Sequence, residues 1–270
     1  MENLSLVVVS TDSYSDTWDV FFANFKKYWP EFRGEKYLIT DTLLYSSYEV
    51  KTILPINNQY NGFHDWGGRL LSCLNQIEEE NILIVLEDYI LIDFVSQSKI
   101  SMLFKSFQEK NIDFLSIGTH DLNRKGKASM RDEIVKVKKF TKYRLTTAPG
   151  IWKVNSLKKF LRRGLNPWQF EIIGTYASYF RKDKFYMLNR MKYNLNYEVF
   201  PYFIENGLDS AVVRGKWQKG IKSTVDKSLH KILDKRGFFE FTTISKLNTI
   251  KKVISNPIDG IIYFVTTIGK

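Results

Sequence analysis

The sequence predicts an α/β protein with a mostly parallel central sheet and helices on both faces. The apolar run Ile82–Leu86 is uninterrupted, which is typical of a strand buried on both faces of a parallel sheet. Strand-like and amphipathic helical segments alternate through residues 1–120, as expected for repeated β-α-β units. The chain has 270 residues and 44% hydrophobic content, which indicates one large domain, with or without an appendage.

The elements follow from the spacing of apolar residues and from the residues that stop helices. The first strand is expected at Leu6–Ser10, and a helix follows from about Asp16 to Tyr28, with Pro30 ending it. The other elements expected before residue 120 are the strands 36–40, 50–54, 82–86 and 114–117 and the helices 66–77 and 99–110. Later in the chain we expect strands at 134–140 and 145–152, a helix at 155–163 and a helical tail from about 225.

Composition excludes two classes of site. The single cysteine, Cys73, excludes an internal disulfide framework and a cysteine-based zinc site, and its apolar neighbours predict a buried side chain. The three histidines lack the spacing of metal ligands, which disfavours a zinc hydrolase. The amino terminus begins directly with a strand, and no apolar window is long enough to span a bilayer, so we expect a cytoplasmic protein.

The net charge of +11 is concentrated near the carboxyl end. Residues 214–252 carry eleven Lys or Arg against three acids. Such a patch attracts polyanions, and without a nucleic-acid-binding motif the anionic inner membrane leaflet is favoured over nucleic acid. A solvated basic face is the alternative interpretation.

The acidic pair Glu87–Asp88 comes directly after the buried strand at 82–86. In open α/β folds, ligands bind at the carboxyl edge of the sheet, where carboxylates can hold a divalent cation against a diphosphate. Adjacent side chains on a strand point to opposite faces, so we expect one metal ligand, Asp88. Glu87 is then expected to orient it or to contact a ribose; an ordinary acidic strand end is the alternative.

Two further segments contain candidate ligand contacts. The first loop carries Asp12 and Tyr14, which can bond a ribose or base and stack on it, although helix capping is common in such loops. In the segment 64–69, two glycines precede Arg69 at a predicted helix start, which allows an anion to approach the backbone. Trp66 directly precedes the two glycines and is a candidate nucleotide contact; a loop with a solvated arginine is the alternative.

The later part of the chain contains a candidate base and a candidate clamp. Glu171 lies in aromatic surroundings after Pro167, which suits a catalytic base acting on a hydroxyl group, or simply an acid at a helix start. Lys216 lies in the segment 214–217 and could neutralise a leaving diphosphate. An ordinary basic surface is the alternative.

Taken in order, these motifs resemble small bacterial glycosyltransferases of the GT-A type encoded in clusters for capsule and O-antigen polysaccharides. The resemblance covers about residues 4–217. It is carried by the first loop with Trp18, by Trp66 and Arg69, by the acidic pair, and by the segments 151–152, 167–171 and 215–217.

The resemblance implies a GT-A-like fold, a nucleotide-sugar donor, Mg²⁺ or Mn²⁺, and a saccharide or lipid-linked acceptor at the inner face of the cytoplasmic membrane. It implies a domain at 1–220, divided into a nucleotide-binding half (1–120) and an acceptor-side half (121–220), and a basic appendage at 221–270. The acidic pair departs from the Asp-x-Asp pattern of such enzymes, so a basic clamp of Arg69 and Lys216 could replace the ion.

Two other functions are consistent with the same residues. A nucleotidyl- or phosphotransferase would use the acidic strand end, but residues 10–18 lack the glycines of a phosphate loop. A non-catalytic protein could instead use the basic tail to bind membranes or another polyanion.

Overall fold

The computed structural model describes residues 4–56, 65–118, 131–189, 192–193 and 199–240. Its strands are β1 Ser5–Val9, β2 Lys36–Ile39, β3 Lys51–Ile53, β4 Asn81–Leu86, β5 Phe114–Ser116, β6 Ile134–Lys136, β7 Gly150–Lys153, β8 Phe185–Leu188, β9 Val212–Val213 and β10 Lys216–Trp217. Its helices are α1 Ser15–Tyr28, α2 Trp66–Leu74, α3 Gln97–Glu109, α4 Val154–Lys158, α5 Pro167–Tyr179 and α6 His230–Arg236.

Eight strands form one mostly parallel sheet in the order β3-β2-β1-β4-β7-β5-β8-β6. The first four in that order run parallel, β7 is antiparallel to both of its neighbours, and β5 pairs parallel with β8. Val9 is in register with both Ile39 and Leu86. The loops that follow β1, β2 and β4 therefore leave the sheet at the same edge.

Both faces of the sheet are covered, as the sequence predicts. Leu6 and Val8 of β1 pack into a cluster with α1 and α3, whereas Val7 and Val9 pack into a second cluster with α2, α4 and α5. Successive residues of a strand point to opposite faces, so every residue of β1 is buried. Cys73 is fully buried in the second cluster, also as expected. The predicted α/β class is confirmed.

The expected boundaries were wrong in several places. The segment 145–149, expected as strand, is a loop that bonds α5: the Leu145 amide donates to the Thr175 hydroxyl, 3.0 Å. The strand expected at 134–140 ends at Lys136, and the helix expected at 66–77 ends at Leu74. Strands β8, β9 and β10 were not expected, because β8 pairs with the distant strands β5 and β6 and because β9 and β10 have only two residues each.

The described part of the carboxyl-terminal region packs on the main domain. Leu233 of α6 and Ile221 are fully buried in the cluster that contains α1. The amide of Phe239 donates to the Trp217 carbonyl, 2.7 Å. The boundary expected at 220/221 stays a prediction, and residues 241–270 of the expected appendage lie outside the described residues. None of the described helices is both long and apolar enough to cross a bilayer.

Removing the Leu233 side chain tests whether α6 belongs to the same folding unit as the sheet. We expect Leu233→Ala to lower the free energy of unfolding by about 2–5 kcal/mol, because it leaves a cavity in the core. Urea denaturation should still show one transition. Lys231→Ala, at an exposed position of α6, is the control and should have little effect. An unchanged unfolding free energy for Leu233→Ala would show that α6 folds apart from the core.

Candidate functional site

The first loop is fixed to the loop after β2 by two aspartates. The Asp12 carboxylate accepts hydrogen bonds from the amides of Asp41, Thr42 and Leu43 at 3.1–3.2 Å and from the Thr42 hydroxyl at 2.6 Å. In return, the Asp12 amide donates to Asp41 Oδ2, 2.9 Å. Burial alone would raise the pKa of Asp12, but these hydrogen bonds outweigh it and lower the pKa.

Arg69 of α2 joins the same two loops from inside the protein. Its side chain is fully buried. Its Nη1 donates to the Ser10 carbonyl and to Asp41 Oδ1, the latter at 2.6 Å. Within the described part of the chain, its Nε and Nη2 are buried without a hydrogen-bond partner. The structure thus places Arg69 beneath the loops; its expected contact with a diphosphate stays a prediction.

The start of α2 packs against protein. A Cβ added at Gly67 would lie 2.6 Å from the Arg162 carbonyl oxygen, so this glycine allows close approach of the loop before α5. The Asp65 side chain accepts from the Gly164 amide, 2.7 Å. Trp66 is only 4% exposed and packs on Phe170, with ring centroids 5.3 Å apart. Trp66 therefore lies in the core between α2 and α5. Residue 64 lies outside the described residues.

The acidic pair at the end of β4 is strongly desolvated. Glu87 is buried, and Asp88 is partly buried with its Oδ2 accepting a hydrogen bond from the Ser210 hydroxyl. Burial raises the pKa of both carboxyls; the Asp88 charge adds to the effect on Glu87, and the Asp209 charge adds to that on Asp88. Among the described residues, Asp88 Oδ1 is buried and has no hydrogen-bond partner. It is an available acceptor beside a second carboxylate.

The segment just before β9 contacts the acidic pair through Ser210 and Ala211. Besides the Ser210 hydroxyl bond, the Ala211 amide donates to the Asp88 carbonyl, 2.8 Å. The Ser210 hydroxyl also lies 2.7 Å from the Val212 carbonyl. Asp209 is thereby held near Asp88, although 121 positions separate them in the sequence.

Arg236 of α6 binds the first loop and the start of α1. Its Nη2 donates to the Ser13 carbonyl, 2.8 Å, and its guanidinium pairs with Asp16 and lies 4.6 Å from the Tyr14 ring centroid. Its Nη1 donates to the Gly215 carbonyl, 3.1 Å. Lys216, the next residue, is exposed on β10 and so lies on a hairpin that is bonded to the first loop.

Tyr14 is half-buried and close to the acidic pair. Burial raises the pKa of its phenol, and the charges of Glu87 and Asp88 raise it further. The structure therefore brings Asp12, Tyr14, Glu87 and Asp88 to one edge of the sheet, which is the arrangement expected from the parallel strands.

Glu171 of α5 is held by the loop before β7. Its Oε1 accepts hydrogen bonds from the Thr147 amide, 2.6 Å, and hydroxyl, 2.8 Å, and from the Thr146 hydroxyl, 3.2 Å. These donors fix the position of the carboxylate. Tyr89 is buried near both Asp88 and Glu171: burial raises its pKa well above its usual value, and the charges of Asp209, Asp88 and Glu171 raise it further.

The residues around Asp88 fit a magnesium or manganese ion only in combination with a ligand. No group of three or more His, Cys, Asp or Glu in the described residues is arranged to hold a metal ion. Mg²⁺, however, is usually bound by one or two carboxylates together with substrate phosphates and water. The free Asp88 Oδ1 and the neighbouring Asp209 match that donor set.

Three residues of the candidate site, Asp41, Asp209 and Arg236, were not expected from the sequence. Asp41 follows a parallel strand, as Asp88 does, so the same strand-end argument would have found it. Asp209 lies in a segment without periodicity, and Arg236 was counted only as part of a basic tail. Neither residue carries a local signal, because only the tertiary fold brings it to the sheet edge.

Comparisons with known proteins are limited to solved structures, since no family model and no curated relative matches the chain. One match is S. aureus TarS, with a TM-score of 0.44 and 15% identity over 70% of this chain. Another is TarS 1-349 in complex with UDP-GlcNAc, with a TM-score of 0.43, 16% identity and 69% coverage. A third is the bifunctional IspDF from Campylobacter jejuni, with a TM-score of 0.36, 15% identity and 59% coverage. The chain spans 37%, 58% and 43% of these proteins, respectively.

Replacing Asp12 tests the connection between the first two loops. We expect Asp12→Ala to lower the free energy of unfolding by about 0.5–1.5 kcal/mol at neutral pH, because the amides of residues 41–43 and the Thr42 hydroxyl lose an acceptor in a half-buried to exposed setting. Since folding lowers the pKa of Asp12, its contribution is complete above the unfolded value of 3.8 and declines as the pH falls through the folded value. Urea denaturation at several pH values should show the difference from wild type shrinking in acid, whereas Asp234→Ala, at an exposed ion pair, should have little effect throughout.

Proposed function

We propose that this protein transfers a sugar from a nucleotide-sugar donor to a saccharide acceptor in the synthesis of a bacterial surface polysaccharide. One observation carries the proposal: Asp88 Oδ1 is a buried acceptor without a protein donor in the described residues, and it lies at the carboxyl edge of parallel strands beside Asp209. An acceptor of this kind suits a divalent cation that is shared with a diphosphate.

The donor would lie between the first loop and the acidic pair. Tyr14 is half-buried next to Glu87 and Asp88, so its ring and hydroxyl are positioned for a base or ribose. Asp12, whose oxygens already accept hydrogen bonds from residues 41–43, would act mainly by fixing this loop. Lys216 would face the diphosphate from the hairpin, and Arg69 would support the loops from below.

A cofactor ion fits this arrangement. Asp88 would hold Mg²⁺ or Mn²⁺ together with Asp209, and Glu87 would remain behind them in the protein. When bound, the ion would offset the charge that develops on the leaving nucleoside diphosphate. If no ion is needed, Lys216 has to supply the same neutralisation.

Glu171 is the proposed base for the acceptor. The Thr147 amide and hydroxyl hold Oε1, and the Glu171 charge acts on Tyr89, the residue that follows Asp88. The Glu171 carboxylate could take the proton of an acceptor hydroxyl as that oxygen attacks the sugar, which corresponds to an inverting displacement. The acceptor would be a saccharide, free or lipid-linked, at the inner face of the cytoplasmic membrane.

Asp88→Asn tests the donor site. The variant keeps the shape and can still accept from Ser210, but it removes the charge that would hold a cation. We expect a thermal-shift panel of nucleoside diphosphates and nucleotide sugars with Mg²⁺ or Mn²⁺ to stabilise the wild type with at least one nucleotide, and to stabilise Asp88→Asn much less. Asp234→Asn, at an exposed ion pair, is the control and should behave as wild type. An equal shift for both variants would show that the nucleotide binds elsewhere.

Glu171→Gln tests the base. The amide oxygen can still accept from Thr147, so we expect folding and nucleotide binding to be retained. Sugar transfer should fall by about 10²–10⁴, which is the usual contribution of a general base. The readout is transfer to a panel of saccharide acceptors, with Glu109→Gln on the exposed part of α3 as control. Transfer at the wild-type rate would assign the base to another residue.

A further inference from the structure

The outer face of α5 is apolar where solvent contact predicts polar residues. Trp168, Ile172 and Tyr176 recur at every fourth position and are 66%, 41% and 52% exposed, and Phe180 after the helix is 61% exposed. The opposite face packs in the core, for example through Phe170. A surface helix normally places charged or polar residues outward, so this face needs a physical reason.

The turn 138–143 extends this apolar face. Phe140 is 71% exposed and Tyr143 is 42% exposed. The Phe140 ring centroid lies 5.1 Å from that of Tyr179, whose hydroxyl donates to the Thr141 carbonyl, 3.0 Å. We use the name aromatic face for the six exposed residues Trp168, Ile172, Tyr176, Phe180, Phe140 and Tyr143.

The turn carries its aromatic residues in costly backbone conformations. Phe140 has a φ of 65° and Tyr143 a φ of 53°, a left-handed region that bulky non-glycine residues rarely occupy. Neither side chain gains core burial in exchange. A binding role for the turn would explain why strain and exposure coincide there.

The aromatic face rests on a rigid base. Arg144, directly after the turn, is buried and donates from Nη1 to the Ser178 carbonyl, 2.8 Å, and from Nη2 to the Asp183 carbonyl, 3.3 Å. Its guanidinium lies 4.2 Å from the Phe185 ring centroid. The turn and the end of α5 are thereby held together, so the exposed side chains form one surface.

The charges at the border of the aromatic face are positive. Lys138, Lys139 and Lys142 lie on the turn and Lys182 follows Phe180, and all four are exposed. The turn contains no acidic residue, and the single acid of α5, Glu171, bonds Thr146 and Thr147. An occupant of this surface must therefore be apolar at the centre and anionic at the border.

We propose that the aromatic face and its four lysines dock the protein on an anionic lipid bilayer. Tyr and Trp rings are suited to the level of the headgroups, Ile172 and the two Phe residues can enter the acyl boundary, and the lysines can meet lipid phosphates. This surface is separate in sequence from the basic segment 214–252. The charge distribution argues against a second copy of the chain, because a two-fold contact would bring the same lysines together.

Docking by this surface would also orient the proposed active site. Glu171 lies on α5 between Trp168 and Ile172 in sequence but is turned toward Thr147. A bilayer under the aromatic face would thus lie close to the helix that carries the proposed base, as a lipid-linked acceptor requires. This consequence rests on the proposed function, whereas bilayer binding itself does not.

Vesicle flotation of the full chain tests the proposal, with phosphatidylcholine vesicles and with vesicles that also contain phosphatidylglycerol. We expect binding to the anionic vesicles and little to the neutral ones. Trp168→Ser with Phe140→Ser should lower the partition coefficient at least about tenfold, because two anchors are lost. Phe94→Ser, a matched control at 64% exposure on another surface, should not change it.

A second pair of variants separates local charge from net charge. Lys138→Gln, Lys139→Gln and Lys142→Gln combined should lower anionic-vesicle binding at least about tenfold, since each lysine near the bilayer contributes about 1 kcal/mol. The same three changes at the exposed Lys26, Lys105 and Lys231 should lower it much less. An equal loss of vesicle binding in both triple-lysine variants would overturn the proposal in favour of net charge. Vesicle binding at the wild-type level by both the aromatic variant and the Lys138/Lys139/Lys142 variant would overturn it in favour of another segment.

Sedimentation velocity tests whether a second copy of the chain, instead of a bilayer, covers the aromatic face. A dimer that Trp168→Ser dissociates, together with no vesicle binding by the wild type, would assign the surface to self-association and overturn the proposal. The thermal-shift panel with nucleotides tests the proposed function separately. A variant that loses vesicle binding but is still stabilised by nucleotide would show that membrane docking and donor binding are independent.

Discussion

The buried guanidinium of Arg69 connects the parts of this protein on which the candidate site depends. It bonds the last residue before the first loop, Ser10, and the first carboxylate after β2, Asp41. Asp41 and Asp12 then exchange hydrogen bonds between the two loops. Removing one partner of such a buried pair leaves an uncompensated charge, at a cost of about 3–5 kcal/mol. The geometry of the sheet edge is therefore set from below, by a guanidinium that solvent does not reach.

The second constraint is the free-energy cost of burying the acidic pair Glu87–Asp88. Glu87 and Asp88 are desolvated and close to Asp209, and all of these groups are negative when ionised. The Ser210 hydroxyl offsets part of this cost at Asp88, and the charges of Arg69 and Arg236 offset part of it at Glu87. One oxygen of Asp88 remains without a donor in the described residues. Retaining such a group is unfavourable for stability alone, which is the physical reason for the proposal that it binds a ligand.

The side chains of helix α5 lie in three different environments. Phe170 and Ile173 are buried, Glu171 is fixed by the loop before β7, and Trp168 and Ile172 are exposed. Because apolar residues lie on both the buried and the exposed face, the sequence of α5 does not distinguish one face from the other.

The sequence by itself determined the fold class, the order of the early elements and the acidic strand end, because these depend on local apolar patterns and on the parallel arrangement those patterns imply. The carboxyl ends of parallel strands meet at one edge, so Asp12, Tyr14, Glu87 and Asp88 could be expected together. Only the tertiary structure decided that Arg69 is buried, that Trp66 packs on Phe170, and that Asp209 and Arg236 join the site. Those outcomes depend on contacts between residues far apart in the chain, where desolvation and packing decide, and no local pattern reports them.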